Sequence, residues 1–170
     1  MGVFFMRKEN IVLIGMPASG KSTAGVILAK VLGKKFIDTD LVIQERENAL
    51  LADIIKDKGV AGFMKTEEEA ILSVDVKNTV IATGGSAVYG EKAMEHLKEN
   101  GTVVYLKVEK DELFKRLTDI KERGVVLREG ENIEEMYDSR SVLYEKYADI
   151  MIEERDSTIE ETIRKIQNEL

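Results

Sequence analysis

Gly15-Met16-Pro17-Ala18-Ser19-Gly20-Lys21-Ser22 reads G-x-x-x-x-G-K-S, and its flanks decide what fold this chain adopts. The apolar run Ile11-Val12-Leu13-Ile14 before it predicts a buried strand. Lys21–Leu32 after it carries Ala24, Ile27, Leu28, Val31 and Leu32 at helical spacing, an apolar stripe expected to face a sheet. Strand, glycine loop, helix is the setting in which this motif cradles phosphates. Backbone N–H groups turn inward, and the helix N-terminus adds its partial positive charge. Lys21 is placed to reach the outer phosphates and Ser22 to ligate Mg²⁺, while Gly20 has no Cβ where a phosphate must approach closely. The expected nucleotide contacts are Gly15, Ala18, Ser19, Gly20, Lys21, Ser22 and Thr23.

Outward from this loop, apolar strands alternate with helices. Gly33 ends the first helix, Lys35-Phe36-Ile37 is a short strand, and Asp38-Thr39-Asp40 stands at its carboxyl end. Leu41 to about Lys58 reads as two short helices broken near Asn48, closed by Gly59, and Gly62–Leu72 as another. The run Glu67-Glu68-Glu69 on that helix is expected to be a solvated face. Further strands are expected at Thr79–Ala82, Thr102–Leu106 and Ile150–Ile152, and further helices at Asp111–Lys121 and Ile133–Tyr147. Ser157-x-x-Glu160 reads as a capping box opening a last helix, with Ile159, Ile163, Ile166 and Leu170 on one face. Glu122–Asn132 lacks periodicity and holds Gly124 and Gly130, so it is expected to be a mobile lid. The pattern predicts an α/β fold: one doubly wound domain over residues 1–170, with a mostly parallel five-stranded sheet and helices on both faces.

Composition narrows the partners. A net charge of −7 argues against a nucleic-acid partner, whose backbone it would repel. The absence of cysteine excludes disulfides and thiolate metal sites, and the single histidine, His96, is expected on the solvated surface. Met1–Arg7 is too short for a signal or membrane segment, and Met6 stands where a myristoylation signal wants Ser or Thr. The chain is therefore expected in the cytoplasm, as a monomer, without a membrane partner; Met6 is a possible alternative start.

In a sheet of this kind ligands collect beyond the carboxyl ends of the strands. Three turns lie at that edge: the glycine loop, Asp38–Asp40, and Thr83-Gly84-Gly85-Ser86. Phosphoryl transfer needs a metal to bridge phosphates, cations to offset charge, and a group to orient the nucleophile. Asp38 suits a Mg²⁺ held through water, and Asp40 suits accepting a proton from an acceptor hydroxyl or capping the next helix. Gly84-Gly85 permits close approach of a ligand to backbone, or simply a tight turn. Arg116, Arg123 and Arg128 surround the expected lid, which on closing would exclude water and bring an arginine to the γ-phosphate of ATP. Arg140, beside Tyr144, is a site residue or a salt-bridge residue among plentiful acidic neighbours.

With these residues assembled, the chain resembles the shikimate kinase family over nearly its full length. Gly15–Ser22 matches the family's phosphate loop, and Phe36-Ile37-Asp38-Thr39-Asp40 its D-x-D. Gly59 to Glu67 is similar to its G-E-x-x-F-R-x-x-E segment, Gly84-Gly85-Ser86-Ala87-Val88 to its G-G-G-A-V turn, and Arg140-Ser141-Val142-Leu143-Tyr144 to its R-x-x-L-Y helix. The resemblance implies transfer of the γ-phosphate of ATP, with Mg²⁺, to a ring hydroxyl of shikimate. It implies that Asp40 binds and activates the acceptor diol, that Gly84 and Gly85 line the substrate, and that Arg140 takes its carboxylate. Lys21 and Arg123 would stabilise the transferring phosphate, and Arg116 would contact adenine.

The departures lie mostly on the acceptor side. Met64 stands where the family has a carboxylate-binding arginine, and Ser86 replaces the third glycine of the turn. The proline that usually follows the lid arginine is missing, as is the adenine-edge proline expected near Asp156-Ser157. Two other readings therefore stand beside shikimate: a kinase of a different small hydroxylated metabolite, and a non-catalytic nucleotide-binding module. A nucleoside monophosphate kinase fits less well, because a D-x-D would repel an anionic acceptor.

Overall fold

In the computed structural model, which describes residues 8–118 and 125–170, β1 (Asn10–Ile14) is the middle strand of the sheet. β2 (Lys35–Asp38), β3 (Thr79–Ala82), β4 (Gly101–Lys107) and β5 (Ile150–Glu153) complete it in the order β2-β3-β1-β4-β5. Every pairing is parallel; Ile11 is in register with Val80 on one side and Thr102 on the other. Because side chains alternate along a strand, Val12 and Ile14 enter the core on one face while Ile11 and Leu13 enter the core on the opposite face. That two-sided burial explains the unbroken apolar run.

α1 (Lys21–Leu32) packs on one face through Ala24, Gly25, Leu28 and Ala29. The stripe is rotated from the one expected: Val31 is 52% exposed, whereas Gly25 lies against the sheet. A Cβ there would stand 2.6 Å from the Phe36 ring, so the only residue without one lets the helix approach. α7 (Ile159–Glu169) covers the same face with Ile163 and Ile166, while Leu170 is 50% exposed and takes no part. α4 (Glu91–Asn100) and α6 (Ile133–Tyr147) cover the other face, joined there by α5 (Lys110–Thr118) through Leu113 and Leu117.

Several local expectations are corrected. α2 (Thr39–Glu47) starts earlier than expected because Asp38 accepts the Asp40 N–H at 3.0 Å, so Asp38 and not Asp40 is its N-cap. Asn48, left-handed at φ 51°, ends it, as the break near that residue predicts. α3 (Leu51–Leu72) is interrupted at Gly59 (φ 70°, ψ 175°), a conformation that favours glycine. The last capping box is Thr158 with Glu161, one residue later than expected. Thr158 Oγ1 accepts the Glu161 N–H, and the Glu161 carboxylate accepts the Thr158 N–H at 2.7 Å. The left-handed residue Asp156 precedes this cap, and the Ser157 hydroxyl is engaged by the Arg155 carbonyl. His96 is half-buried, its Nε2 2.7 Å from the Val74 carbonyl oxygen, because it tethers α4 to the end of α3 rather than facing water. Residues 122–124 of the expected lid, Arg123 among them, and the last residues of the helix expected to run to Lys121 lie outside the described residues. Among those described, no helix is long and apolar enough to cross a membrane.

Candidate active site

The glycine loop leaves the carboxyl end of β1 and turns into α1, at the point where strand order reverses around β1. Two of its glycines are obligatory. A Cβ on Gly15 (φ 150°) would stand 2.6 Å from the Leu106 carbonyl oxygen, and Gly20 (φ 82°, ψ 15°) makes the left-handed entry into α1. Ser19 is buried beneath the loop. Lys21 is buried as well: its Nζ donates to the Gly15 and Met16 carbonyls at 2.8 and 2.7 Å and to Ser19 Oγ at 3.2 Å. Burial pulls this ammonium down to about 8; Asp40 opposes the shift. Arg116 reaches the outside of the loop, donating from Nη1 to the Ala18 carbonyl at 3.1 Å and from Nε to Glu112 at 3.1 Å.

Ser22, in the first turn of α1, donates its hydroxyl hydrogen to Asp38 Oδ2 at 2.6 Å. A hydroxyl and a carboxylate supplied by two elements form a hard-oxygen pair. That set suits Mg²⁺, which takes one or two protein ligands and completes its shell with phosphate and water. Among the described residues no cluster of three His, Cys, Asp or Glu side chains offers a denser alternative. Asp40, in the first turn of α2, lies next to this pair. Burial, then the neighbouring Asp38, pushes its carboxyl up to about 6, with Lys21 acting against them.

Thr83-Gly84-Gly85-Ser86 leaves the carboxyl end of β3 and passes between three polar side chains. A Cβ on Gly84 would lie 2.7 Å from Asp40 Oδ1 and 2.8 Å from Glu67 Oε1. One on Gly85 would lie 2.8 Å from the Pro17 ring and 3.0 Å from Arg140 Nη1. The close approach that two glycines permit is therefore in use here. Tyr144 on α6 donates its hydroxyl to the Gly85 carbonyl at 2.6 Å and holds the turn. Arg140, one helical turn away, is 1% exposed. It donates to the Val126 carbonyl and, at 3.4 Å, to the Tyr89 hydroxyl, and it lies over the Tyr89 ring at 5.3 Å. Its described hydrogen-bond partners are thus neutral, so the salt-bridge alternative for Arg140 is not what the structure holds.

A cavity of about 300 Å³ runs along this edge from Lys21, Ser22 and Thr23 to Arg140. Ala18, Gly20, Asp40, Gly84 and Gly85 also line it, whereas Gly15, Ser19 and Asp38 do not. Arg128 is not brought in: it is half exposed and pairs with Glu131 at 2.8 Å. Met64 does not face this cavity either. It lines a separate one of about 200 Å³ with Lys65, Glu68 and Tyr89, while Phe63 turns into the main one.

Glu67 is the site residue that charge reading missed. It is 2% exposed, not solvated, and accepts the Ser86 hydroxyl at Oε2 across 2.6 Å. Burial, its largest influence, pushes its carboxyl up to about 7, while the Ser86 hydrogen bond pulls the other way. A sequence signal for this existed: Phe63, Glu67, Ala70 and Ile71 fall at i, i+4, i+7 and i+8, the spacing of one buried helix face. The apolar wall of the cavity, Leu51 and Phe63 from either side of the Gly59 kink in α3 with Val125 and Val126, carries no local signal.

A family model described as "Shikimate kinase" matches residues 17–170. The chain is 38% identical over 166 residues to a shikimate kinase of Alkaliphilus oremlandii, covering 93% of this chain and 96% of the relative. It is 40% identical over 162 residues to one of Clostridium botulinum, covering 93% and 94%. Among solved structures, a shikimate kinase of Acinetobacter baumannii in complex with shikimate superposes with a TM-score of 0.84 at 30% identity, covering 96% of this chain and 93% of that one.

Proposed function

The chain belongs to the shikimate kinase family, and from that premise we propose that it transfers the γ-phosphate of ATP to a hydroxyl of shikimate. The observation that carries this reading is the convergence of Asp40 and the buried, neutrally partnered Arg140 on Gly84-Gly85, in the same cavity as Lys21 and Ser22. A buried guanidinium without a carboxylate partner favours an anionic ligand, and shikimate brings a carboxylate. At the opposite end of the cavity, the phosphate loop supplies N–H donors and a helix N-terminus for the triphosphate. A different hydroxylated metabolite, or a module without catalysis, is not favoured: relatives at 38% and 40% identity over most of their length bear the shikimate kinase name.

In this reading Asp40 orients the acceptor hydroxyl and takes its proton. A carboxyl near 6 is mostly ionised at neutral pH yet basic enough to accept one. Arg140 fixes the carboxylate end of the acceptor, and the N–H groups of the Gly84-Gly85 turn approach its ring hydroxyls. Lys21, still mostly charged at neutral pH, exchanges its loop carbonyls for phosphate oxygens. Ser22 and Asp38 would hold Mg²⁺, which neutralises phosphate charge when bound. Arg116 lies on the nucleotide side of the loop, where an adenine contact fits. Arg123 is assigned to the transferring phosphate on the resemblance alone. The same reading has the chain act as a single kinase domain and a monomer in the cytoplasm, on small molecules and not on nucleic acid.

The test is transfer from Mg-ATP to shikimate, quinate, gluconate, simple sugars and nucleoside monophosphates. Shikimate is expected to be the preferred acceptor, and preference for another member of the panel would overturn the assignment. Asp40→Asn is expected to lower kcat by about 10²–10⁴-fold with ATP affinity nearly unchanged. Activity retained in that variant would reduce Asp40 to a structural residue of α2.

A further inference from the structure

Arg140 is the one arginine among the described residues that line the main cavity, and Met64, in the neighbouring small cavity, brings no second one. Binding of an anion there depends on how this one group is held. Its Nη1 lies 3.0 Å from the point a Cβ on Gly85 would occupy, where both residues line the cavity. Its Nη2 donates to the Val126 carbonyl, and its Nε donates to the Tyr89 hydroxyl at 3.4 Å. The central carbon of the guanidinium stands 5.3 Å from the centroid of the Tyr89 ring. Tyr89 ends the short 3-10 turn Ala87–Tyr89 and lines only the small cavity, beside Met64. Its route to the acceptor end of the main cavity therefore runs through Arg140.

The hydrogen bonds behind Tyr89 run in one direction. Burial would raise the Glu131 carboxyl, but Arg128, donating from its side chain and its backbone N–H, holds it below the ordinary value. The ionised Glu131 Oε1 and the Met136 carbonyl each lie 3.2 Å from Ser139 Oγ, and both can only accept. Ser139 gives its hydrogen to one of them, so in its 3.0 Å contact with Tyr89 it is the acceptor and the tyrosine hydroxyl donates. That leaves the lone pairs of this hydroxyl to Arg140. Arg128 pairs with Glu131 at 2.8 Å and stands 5.0 Å over the same Tyr89 ring, which neutralises the far end of the chain. Arg140 is thus anchored by a neutral hydroxyl and a π face. A carboxylate at position 89 would anchor it too, but would neutralise its charge and compete with an incoming anion. A tyrosine fixes the cation without doing so.

We propose that Tyr89 is a positioning residue for the transfer reaction: its hydroxyl and ring hold Arg140 in the orientation that receives the carboxylate of the acceptor, and leave the arginine's charge uncompensated for it. This rests on the assignment of shikimate as acceptor and deepens it. Because Arg140 is fixed before the acceptor arrives, the carboxylate binds without first ordering a long side chain.

The test uses the full chain and two ligands, shikimate and its carboxamide, which lacks the negative charge. Their dissociation constants are measured by calorimetry for the wild type, Tyr89→Leu and Tyr89→Phe, beside the KM values for shikimate and ATP. The wild type is expected to bind the acid more tightly than the carboxamide. Tyr89→Leu removes ring and hydroxyl, and should cut that preference roughly tenfold with a matching rise in shikimate KM and an ATP KM within about twofold of the wild type. Tyr89→Phe keeps the ring and should cut the preference about threefold; it carries the test should Tyr89→Leu not fold. A loss shared equally by acid and carboxamide, the mark of a merely structural tyrosine, overturns the proposal. So does a Tyr89→Phe preference equal to that of the wild type. A wild type that turns over no shikimate, or that binds acid and carboxamide alike, would instead overturn the acceptor assignment before any variant is made, and the role of Tyr89 with it.

Discussion

Ser86 donates its hydroxyl hydrogen to Glu67 across 2.6 Å, joining the turn after β3 to the buried face of α3 directly beneath the acceptor end of the cavity. Both groups are buried, so removing the donor leaves an oxygen that water cannot reach. Ser86→Ala is expected to lower unfolding free energy by about 1–3 kcal/mol near pH 8, where Glu67 is charged. The loss should be smaller near pH 5, where it is neutral. Denaturant melts at the two pH values measure both, and an equal loss at each would show that the charge on Glu67 is not what the hydrogen bond supports.

Glu67 itself makes stability depend on pH. Its carboxyl is raised in the folded protein to about 7 from an ordinary value of 4.5, so between those values the native state holds a proton the unfolded chain has released. Stability therefore falls as pH rises from about 4.5 through 7. Glu67→Gln should be more stable than the wild type at pH 8 by up to about 3 kcal/mol, and nearly equal to it at pH 4. The comparison isolates one group because the other titrating residues are common to both proteins. A constant difference across the range would contradict it.

Gly84→Ala places a Cβ within 2.8 Å of both Asp40 Oδ1 and Glu67 Oε1. Both obstacles are ends of side chains, so the backbone survives while the two carboxyls are pushed out of position. Displacement of a catalytic group by about 1 Å is enough to cost ~10²-fold in rate. The variant is expected to lose activity on that scale while binding ATP normally, as read by steady-state kinetics beside nucleotide titration. A parallel loss of ATP binding would mean that the damage reaches the phosphate loop.

The start of α7 offers a test away from the site. Thr158 caps the helix reciprocally with Glu161, whereas Ser157 caps nothing. Thr158→Ala should cost about 1 kcal/mol and Ser157→Ala less than about 0.5 kcal/mol, compared by thermal or denaturant unfolding.

The geometry of the glycine loop was legible because it is made by backbone and by contiguous residues. Gly15, Gly20, Lys21 and Ser22 are close in sequence and act together in space. The alternation of apolar runs and helical stripes likewise pointed to a parallel sheet, since strands buried on both faces must be apolar throughout. Local rules failed where two adjacent residues competed for one role. Asp38 and Asp40 both suit a helix cap, as do Ser157 and Thr158, and only the path of the backbone selects between them. His96 and Glu67 misled for a related reason: a charged or polar residue in a charged run reads as solvated until the element packed over it is known.

Sequence alone determined that a glycine loop sits between a buried strand and a helix, and which residues stand at the sheet edge beside it. Residue type and spacing along one segment suffice for that, since strand, loop and helix are local structures. Tertiary structure alone decided how the residues across the sheet edge meet. Asp40, Glu67, Gly84 and Arg140 come from α2, α3, the turn after β3 and α6, and their meeting buries an arginine among neutral partners and a carboxyl with one free oxygen. Burial and proximity set the charge states of these groups, and both are properties of packing between distant segments.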